Sequence, residues 1–191
     1  MKTGFLLSAI KQFEYYKLLA EKTFDQLPDE ALHWQYNAGS NSVATIVKHL
    51  SGNMRSRWTD IFNTDGEKEW RNRDSEFNND ILSRNEMMDY WNTGWAIFLD
   101  TLKSLTEEDL EKIIYIRNQG HTLMDAINRQ LAHYPYHIGQ IVYIGKLITD
   151  SNWNSLSIAK GKSDQYNQQK FSVPKQITHF TDEYLHSKKS K

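Results

Sequence analysis

The chain has 191 residues, with 23 lysines and arginines against 24 aspartates and glutamates, and no cysteine. This balanced charge excludes a broad basic surface, so we expect no nucleic-acid partner. The lack of cysteine excludes disulfides, thiolate metal ligands and a cysteine nucleophile, and it suits a reducing cytoplasm, where we expect the protein to act.

A chain of this length predicts one domain, over residues 1–191. Its N-terminal segment is interrupted by charged residues, which argues against a signal peptide or a membrane span, so we expect no membrane partner. Few prolines and regularly spaced apolar side chains favour an all-α fold.

Apolar side chains at helical spacing predict four long helices, in chain order over about residues 5–27, 42–62, 83–105 and 122–149. Asn41 or Ser42 is the expected N-cap of the second helix. Ser83 and Glu86 have the spacing of a capping box at the start of the third helix. Four such helices with one crossover connection describe a four-helix bundle.

The segments outside these helices are polar. A long loop over residues 63–80 joins the second and third helices, and Trp70 and Phe77 are its expected anchors. The stretch "IIYIRNQGHTL", which begins at residue 113, has extended character and bridges the third and fourth helices. The tail over residues 150–191 is expected to be loop-rich, with a short helix in "ITHFTDEYLHSK".

Two histidines in the fourth helix are the first candidate metal ligands. In "QLAHYPYHIGQIVYIGKL", His133 and His137 share one helical face, and two neutral imidazoles at this spacing can bind one ion. Pro135 lies between them at a cost of about 3 kcal/mol, and such departures from local rules mark functional or strained sites. The alternative is a pair of hydrogen-bonded core histidines. No glutamate follows His133, so the zinc-protease pattern is absent.

A third candidate ligand lies in the second helix. His49, in "SVATIVKHLSGNMRSRW", is at the edge of the apolar stripe, and its helical neighbours are small and polar. That side of the helix can face a cavity, where His49 can meet His133 and His137 across the bundle. The other histidines lie in turns or polar segments and are not expected to be ligands; they are His33, His121, His179 and His186.

Four further side chains are candidates for contacts to a ligand or substrate. Gln140 lies on the histidine face, although an amide at the edge of the core is an equal alternative. Asn53 lies one turn beyond His49 and can hydrogen-bond around the site. Arg71 and Arg73 can clamp an anionic substrate, and an Arg73–Asp74 contact is the alternative for the latter.

No catalytic residue beyond the metal ligands is assigned from the sequence. Acidic residues are scarce near the histidine face, so a base would have to come from the loop, where Glu67, Glu69 and Asp74 are candidates without preference. Tyr134 and Tyr136 flank the proline and are expected to be packing residues.

Several stretches of the chain resemble a known group of proteins. "VKHLSGN" with the downstream "HYPYHIGQI" resembles the DinB-like, or YfiT-like, superfamily of metal-dependent bacterial proteins. Residues 41–77 are especially similar to one branch of it. So is "LSIAKGKSDQYN", where similar proteins often carry "SIPRG" in place of "SIAKG". The resemblance extends from the first helix to about Asn167.

The resemblance implies a fold, a cofactor and an assembly. The fold is an up-down-down-up four-helix bundle, and the cofactor is a divalent metal, usually nickel or zinc, held by three histidines. The matching positions are His49, His133 and His137. Members are often homodimers, for which the aromatic third helix is a candidate surface; the alternative is that Trp91, Trp95 and Phe98 are all core residues.

The resemblance also implies chemistry on a small-molecule substrate. Some relatives transfer a low-molecular-weight thiol, such as bacillithiol or mycothiol, to an electrophile, and others are thiol-dependent isomerases. Three neutral histidines leave coordination positions open, as in catalytic rather than structural sites. The sequence leaves two alternatives open, which are metal-assisted hydrolysis and a non-catalytic binding or stress-response module whose metal only holds the helices together.

Overall fold

Four long helices make up most of the computed structural model, which describes residues 4–81 and 83–185. They are α1 (Phe5–Phe24), α2 (Val43–Trp58), α3 (Arg84–Ser104) and α4 (Leu123–Thr149). Two shorter helices follow in the tail, α5 (Ser163–Phe171) and α6 (Asp182–Leu185). The strands β1 (Ile113–Ile116) and β2 (Gln119–Thr122) form a two-stranded sheet. The described chain is therefore mostly helical, as predicted.

The long helices lie within the ranges predicted from apolar spacing, and side-chain caps define their starts. Ser42 Oγ accepts the backbone N–H of Thr45, and Ser83 Oγ accepts that of Glu86. Each cap satisfies a donor that the first helical turn leaves without an intrahelical partner. Helix α5 was not predicted, because none of its residues is buried and its sequence lacks an apolar stripe.

An aromatic cluster joins all four long helices in the core. Phe13 comes from α1, Trp58 from α2, Phe98 from α3 and Tyr134 from α4. The Phe98 ring centroid lies 4.6 Å from that of Phe13, 4.9 Å from Trp58 and 5.1 Å from Tyr134, in edge-to-face arrangements that aromatic rings prefer. Helix α2 packs most extensively on α3, and α1 on α4.

Three aromatic residues of α3 belong to the core of the chain. Trp91, Trp95 and Phe98 are all buried among core residues of the same chain. The alternative interpretation of these three residues, as core, is the one the structure supports.

The extended stretch between α3 and α4 is a hairpin that holds the long loop in place. Its turn residues Arg117 and Asn118 have φ values of 54° and 59°, as in the two-residue turns that match strand twist. Both of their N–H groups donate to the Asp65 carboxylate at 2.8 Å. Ser56 of α2 donates its hydroxyl to the Gly66 carbonyl at 2.7 Å. The loop is thus bound to the hairpin on one side and to α2 on the other.

The two expected loop anchors behave differently. Trp70 is 56% exposed, so the prediction that it anchors the loop is wrong; the Arg55 guanidinium lies over its ring, 5.4 Å from the centroid. Phe77 is partly buried and stacks on the His49 imidazole, with ring centroids 4.9 Å apart. Phe77 therefore ties the end of the loop to α2.

The tail returns to the first helix. Lys11 of α1 forms an ion pair with Asp182 of α6 at 2.6 Å, and Ser8 lies within hydrogen-bonding distance of His179. Of the terminal helix predicted over residues 177–188, only Asp182–Leu185 forms α6 and residues 177–181 are not helical, while His186 lies outside the described residues. Among the residues that the structure describes, no helix has the length and apolar character needed to span a membrane.

Substitution of Phe98 by alanine should destabilise the protein by about 3–5 kcal/mol, because it empties a fully buried site in the aromatic cluster. Phe171→Ala is the matched control: this ring is 84% exposed, so the expected change is within about 0.5 kcal/mol. Urea unfolding followed by circular dichroism measures both, and equal effects would contradict the assignment of the core.

Candidate metal centre

Three histidines from two helices converge on one point. His49 lies on α2, and His133 and His137 lie one turn apart on α4. Each offers one ring nitrogen, and the three nitrogens lie within 4.8 Å of one another. The Nε2 atoms of His49 and His133 are 3.4 Å apart. Two nitrogens bound tetrahedrally to one zinc ion are also about 3.4 Å apart, given bonds of about 2.0–2.1 Å.

A buried carboxylate fixes the imidazole of His49. His49 Nδ1 donates to Glu76 Oε2 at 2.9 Å, and Glu76 is only 5% exposed. Arg71 holds the same carboxylate with two hydrogen bonds, Nε to Oε1 at 2.7 Å and Nη2 to Oε2 at 2.9 Å. With its proton on Nδ1, His49 presents a lone pair on Nε2, and an outer carboxylate of this kind also increases the basicity of the ligand.

The ionisation of Glu76 reflects opposing effects. Burial raises the pKa of its carboxyl, but hydrogen bonds and charge from His49 and Arg71 outweigh burial, so the pKa is lowered overall. The carboxylate is therefore ionised at neutral pH and remains an acceptor for the His49 proton.

Two glutamines of α4 accept hydrogen bonds from the other two histidines, as Glu76 does from His49. Gln140 Oε1 accepts from His137 Nδ1 at 2.9 Å, and Gln130 Oε1 accepts from His133 Nδ1 at 3.3 Å. Each pair is separated by three residues, the spacing at which side chains share a helical face. All three imidazoles therefore have Nδ1 occupied by an acceptor, which leaves Nε2 as the atom available to a metal ion.

Burial keeps the imidazoles of α4 neutral. Burial is the largest cause that lowers the pKa of His133, to about 3, and the charges of His137 and His49 add to it. Burial likewise lowers the pKa of His137. Because a metal ion binds the neutral imidazole, these side chains are in the binding form at pH 7 without losing a proton.

Helix α4 continues through Pro135, and the side of this helix that faces the core contacts α2 next to the three histidines. Tyr134 is fully buried, donates its hydroxyl to Asn53 Oδ1 at 3.1 Å and accepts from Trp58 Nε1 at 3.2 Å. Tyr134 is thus a packing residue, as predicted, whereas Tyr136 is 63% exposed and that prediction is wrong. The contact also orients Asn53, whose side chain lines the cavity beside the histidines.

A cavity of about 480 Å³ opens in front of the three histidines. Its wall also contains Asn53, Phe77, Gln130 and five arginines, which are Arg57, Arg71, Arg73, Arg117 and Arg129. No carboxylate side chain is among the lining residues found in the described parts of the chain. The cavity therefore combines neutral nitrogen ligands with a cationic wall.

The two arginines singled out from the sequence have different positions. The Arg71 side chain is buried and holds Glu76, so it acts on the site through that carboxylate. Arg73 is exposed, and its guanidinium lies 5.1 Å from the centroid of Phe77. Within the described residues no ion pair joins Arg73 to Asp74, and the contact of Arg73 with an Asp74 side chain stays a prediction.

None of the acidic residues considered as a base lines the cavity. The Glu67 carboxylate lies 2.9 Å from Arg57, 3.2 Å from Arg117 and 3.5 Å from Arg71, so three guanidinium groups share its charge. Glu69 and Asp74 are exposed. The acidic residue that does reach a histidine is Glu76, which the sequence did not single out, because nothing in a polar loop shows which of its carboxylates will be buried.

The remaining histidines within the described residues have other surroundings. His33 lies 3.2 Å from Asn79 at the surface, and His179 lies 2.8 Å from Thr181. His121 is partly buried on β2 and takes no part in the three-histidine group.

Replacement of Glu76 by glutamine should weaken the binding of nickel or zinc by roughly 10- to 100-fold, because the His49 imidazole loses its anionic partner. Glu69→Gln removes an exposed carboxylate of the same loop and should leave the affinity unchanged. Competition of each variant with a chelating dye measures the affinity. Equal affinities for Glu76→Gln and the parent protein would show that the carboxylate does not support the ligand.

The close approach of Glu76 to α2 depends on Gly52. A Cβ atom at this position would lie 2.6 Å from the Glu76 carboxyl carbon, so Gly52→Ala should displace the carboxylate and weaken metal binding. Gly139→Ala is the control, since a Cβ there meets nothing within 4 Å. It should leave metal binding intact and stabilise α4 by up to about 1 kcal/mol. Metal titration and urea unfolding of both variants test this; unchanged metal affinity in Gly52→Ala would contradict it.

Comparison with known protein families gives a match that covers the part of the chain that contains the four long helices. A family model described as "Protein of unknown function (DUF1572)" matches residues 1–162, which include all four long helices and every residue of the cavity. No match was found among curated proteins or among solved structures. Because the match covers most of the sequence, the chain belongs to the DUF1572 family.

Proposed function

We propose that this protein binds one divalent metal ion through His49, His133 and His137 and uses it to act on a small molecule. The observation that carries the proposal is the convergence of three imidazoles whose Nδ1 atoms all have acceptors. With each Nδ1 proton donated to its acceptor, the Nε2 atoms of His49 and His133 carry lone pairs that face each other at 3.4 Å, an arrangement that a shared cation stabilises.

The donor set fits nickel or zinc. Imidazole nitrogens suit both ions, and the chain has no cysteine to compete for the metal or to close the site. Three protein ligands leave coordination positions open, and the cavity provides space in front of them. When bound, the ion supplies a Lewis acid that activates a thiol or a water molecule.

We propose transfer of a low-molecular-weight thiol to an electrophile as the reaction. A sulfur–carbon bond forms while the bond to the leaving group breaks, the leaving group keeps the bonding electrons, and the thiol proton passes to solvent. The thiol must come from a small molecule, because the chain has no cysteine. Resemblance to the DinB-like superfamily supports this choice of reaction.

The chain's own residues prepare the site for such a substrate. Glu76, Gln130 and Gln140 hold the three imidazoles in one tautomer, so that no proton must move before a ligand binds. Phe77 covers one face of His49 and limits its contact with water. Asn53, held by the Tyr134 hydroxyl, offers an amide at the cavity wall for orientation of a bound molecule.

We also propose that the family belongs to the DinB-like superfamily and that the chain forms one domain with an up-down-down-up four-helix bundle. The pairing of α2 with α3 and of α1 with α4 supports this arrangement, as does the aromatic cluster to which all four helices contribute. Homodimerisation and a cytoplasmic location stay predictions.

Metal analysis of the purified protein tests the site directly. We expect nearly one nickel or zinc ion per chain, a strong loss in His49→Ala, and no loss in His33→Ala, which removes a surface histidine outside the group. Absence of bound metal after loading, in a protein that is folded, would refute the proposal.

A second measurement tests the reaction. Conjugation of a reporter electrophile should require both the loaded metal and a small thiol. Turnover with water alone would instead assign a metal-assisted hydrolase. Metal binding without either reaction, together with a large rise in the unfolding temperature on loading, would assign a binding module that the metal stabilises.

A further inference from the structure

The arginines of this chain are concentrated around one cavity. The sequence contains seven arginines, and five of them line the cavity in front of the histidines. None of the lysines within the described residues does so. Arginine differs from lysine in its planar group of donors, which matches the oxygens of carboxylates and phosphates in pairs. The distribution therefore points to recognition of an anion.

Two of the five arginines are committed to the protein itself. The side chains of Arg57 and Arg71 are buried, and their guanidinium groups contact the Gly66 carbonyl and the carboxylates of Glu67 and Glu76. These contacts hold the loop against α2. Counting both carboxylates against the five guanidinium groups leaves three positive charges unbalanced, in a chain whose net charge is −1.

Three arginines form the exposed rim of the cavity: Arg73, Arg117 and Arg129. Arg73 lies over the Phe77 ring, which in turn stacks on His49, so its charge is held close to the histidine group. Arg129 precedes Gln130 on α4 and lies close enough to His133 for its positive charge to act on that imidazole. Neither Arg73 nor Arg129 has a carboxylate partner within the described residues.

The third rim arginine is placed by a constrained turn. Arg117 has a positive φ, which side-chain-bearing residues rarely adopt, and the Asp65 carboxylate stabilises that turn through two backbone hydrogen bonds. Its side chain is 58% exposed and shares Glu67 with the two buried arginine side chains. The hairpin thus places the Arg117 guanidinium at the cavity rim, at the cost of an unfavourable backbone conformation.

We propose that the cavity binds a small molecule with two or more negative charges, carried by a phosphate or by two carboxylates, and that Arg73 and Arg129 are its principal anion-binding residues. The volume of about 480 Å³ lies within the range of small-molecule sites. The inference rests on the proposed function only in placing the anion beside a metal; the anion site itself consists of arginines.

The test measures anion binding with and without metal. Inorganic phosphate and succinate are titrated calorimetrically into the nickel-loaded and the chelator-treated protein, at constant ionic strength so that screening does not differ. The variants are Arg73→Gln with Arg129→Gln, and Lys146→Gln as the control. Lys146 is exposed, carries the same charge and lies on the same helix as Arg129, about 25 Å along its axis.

We expect phosphate or succinate to bind the parent protein, and the double variant to bind at least roughly tenfold more weakly, since charge-assisted hydrogen bonds are lost. Lys146→Gln should bind like the parent. Tighter binding of phosphate would assign a phosphate-bearing ligand, and tighter binding of succinate a dicarboxylate.

Binding of neither anion by either form of the parent protein would overturn the inference, as would equal affinities in the parent and the double variant. Because the rim arginines are exposed, their variants should keep the unfolding curve of the parent. A protein that retains nickel but binds no anion would leave the proposed function standing. One that binds anions through these arginines without binding metal would refute the metal centre alone.

Discussion

The buried hydrogen-bond chain from Arg71 through Glu76 to His49 is the interaction on which the site depends. A carboxylate loses its hydration when it is buried, and this loss is tolerated only if charged donors replace the water. Arg71 supplies two of these donors and His49 a third. One carboxylate therefore attaches the loop to α2 and also fixes the proton of His49, a candidate metal ligand, on Nδ1. The position of the loop and the tautomer of His49 are thus coupled.

The rigidity of the opposite wall has a different origin. On α4 the two histidines lie on either side of a core residue, Tyr134. Its ring packs in the aromatic cluster, and its hydroxyl donates a hydrogen bond to Asn53. Packing of this kind compensates for the hydrogen bond that Pro135 removes from the helix. The imidazoles of α4 are held by their own helix, through Gln130 and Gln140, while His49 is held from the loop. Helix α4 must therefore pack against α2 and its bound loop before the three histidine nitrogens face one another.

Charge distinguishes this cavity from an ordinary three-histidine site. Neutral imidazoles alone would leave the surroundings of a bound ion uncharged, whereas here the five guanidinium groups of the wall exceed the two neighbouring carboxylates, Glu67 and Glu76, by three charges. A divalent cation in such surroundings is repelled by its neighbours, and an anion bound at the rim reduces that repulsion. Glu67 and Glu76 supply part of the compensation from behind the wall, where they remain tied to arginines and do not occupy the cavity.

Sequence alone determined the helices and the shared face of His133 and His137, because both follow from local spacing. Apolar periodicity locates the four helices to within a few residues, and His133 and His137 share a face for the same geometric reason. The partners of the site depended on tertiary structure. Glu76 is separated from His49 by 27 residues, and its burial follows from the attachment of the loop to α2 and to the hairpin. The five arginines come from α2, the loop, the hairpin and α4, so only the folded chain brings their charges to one cavity.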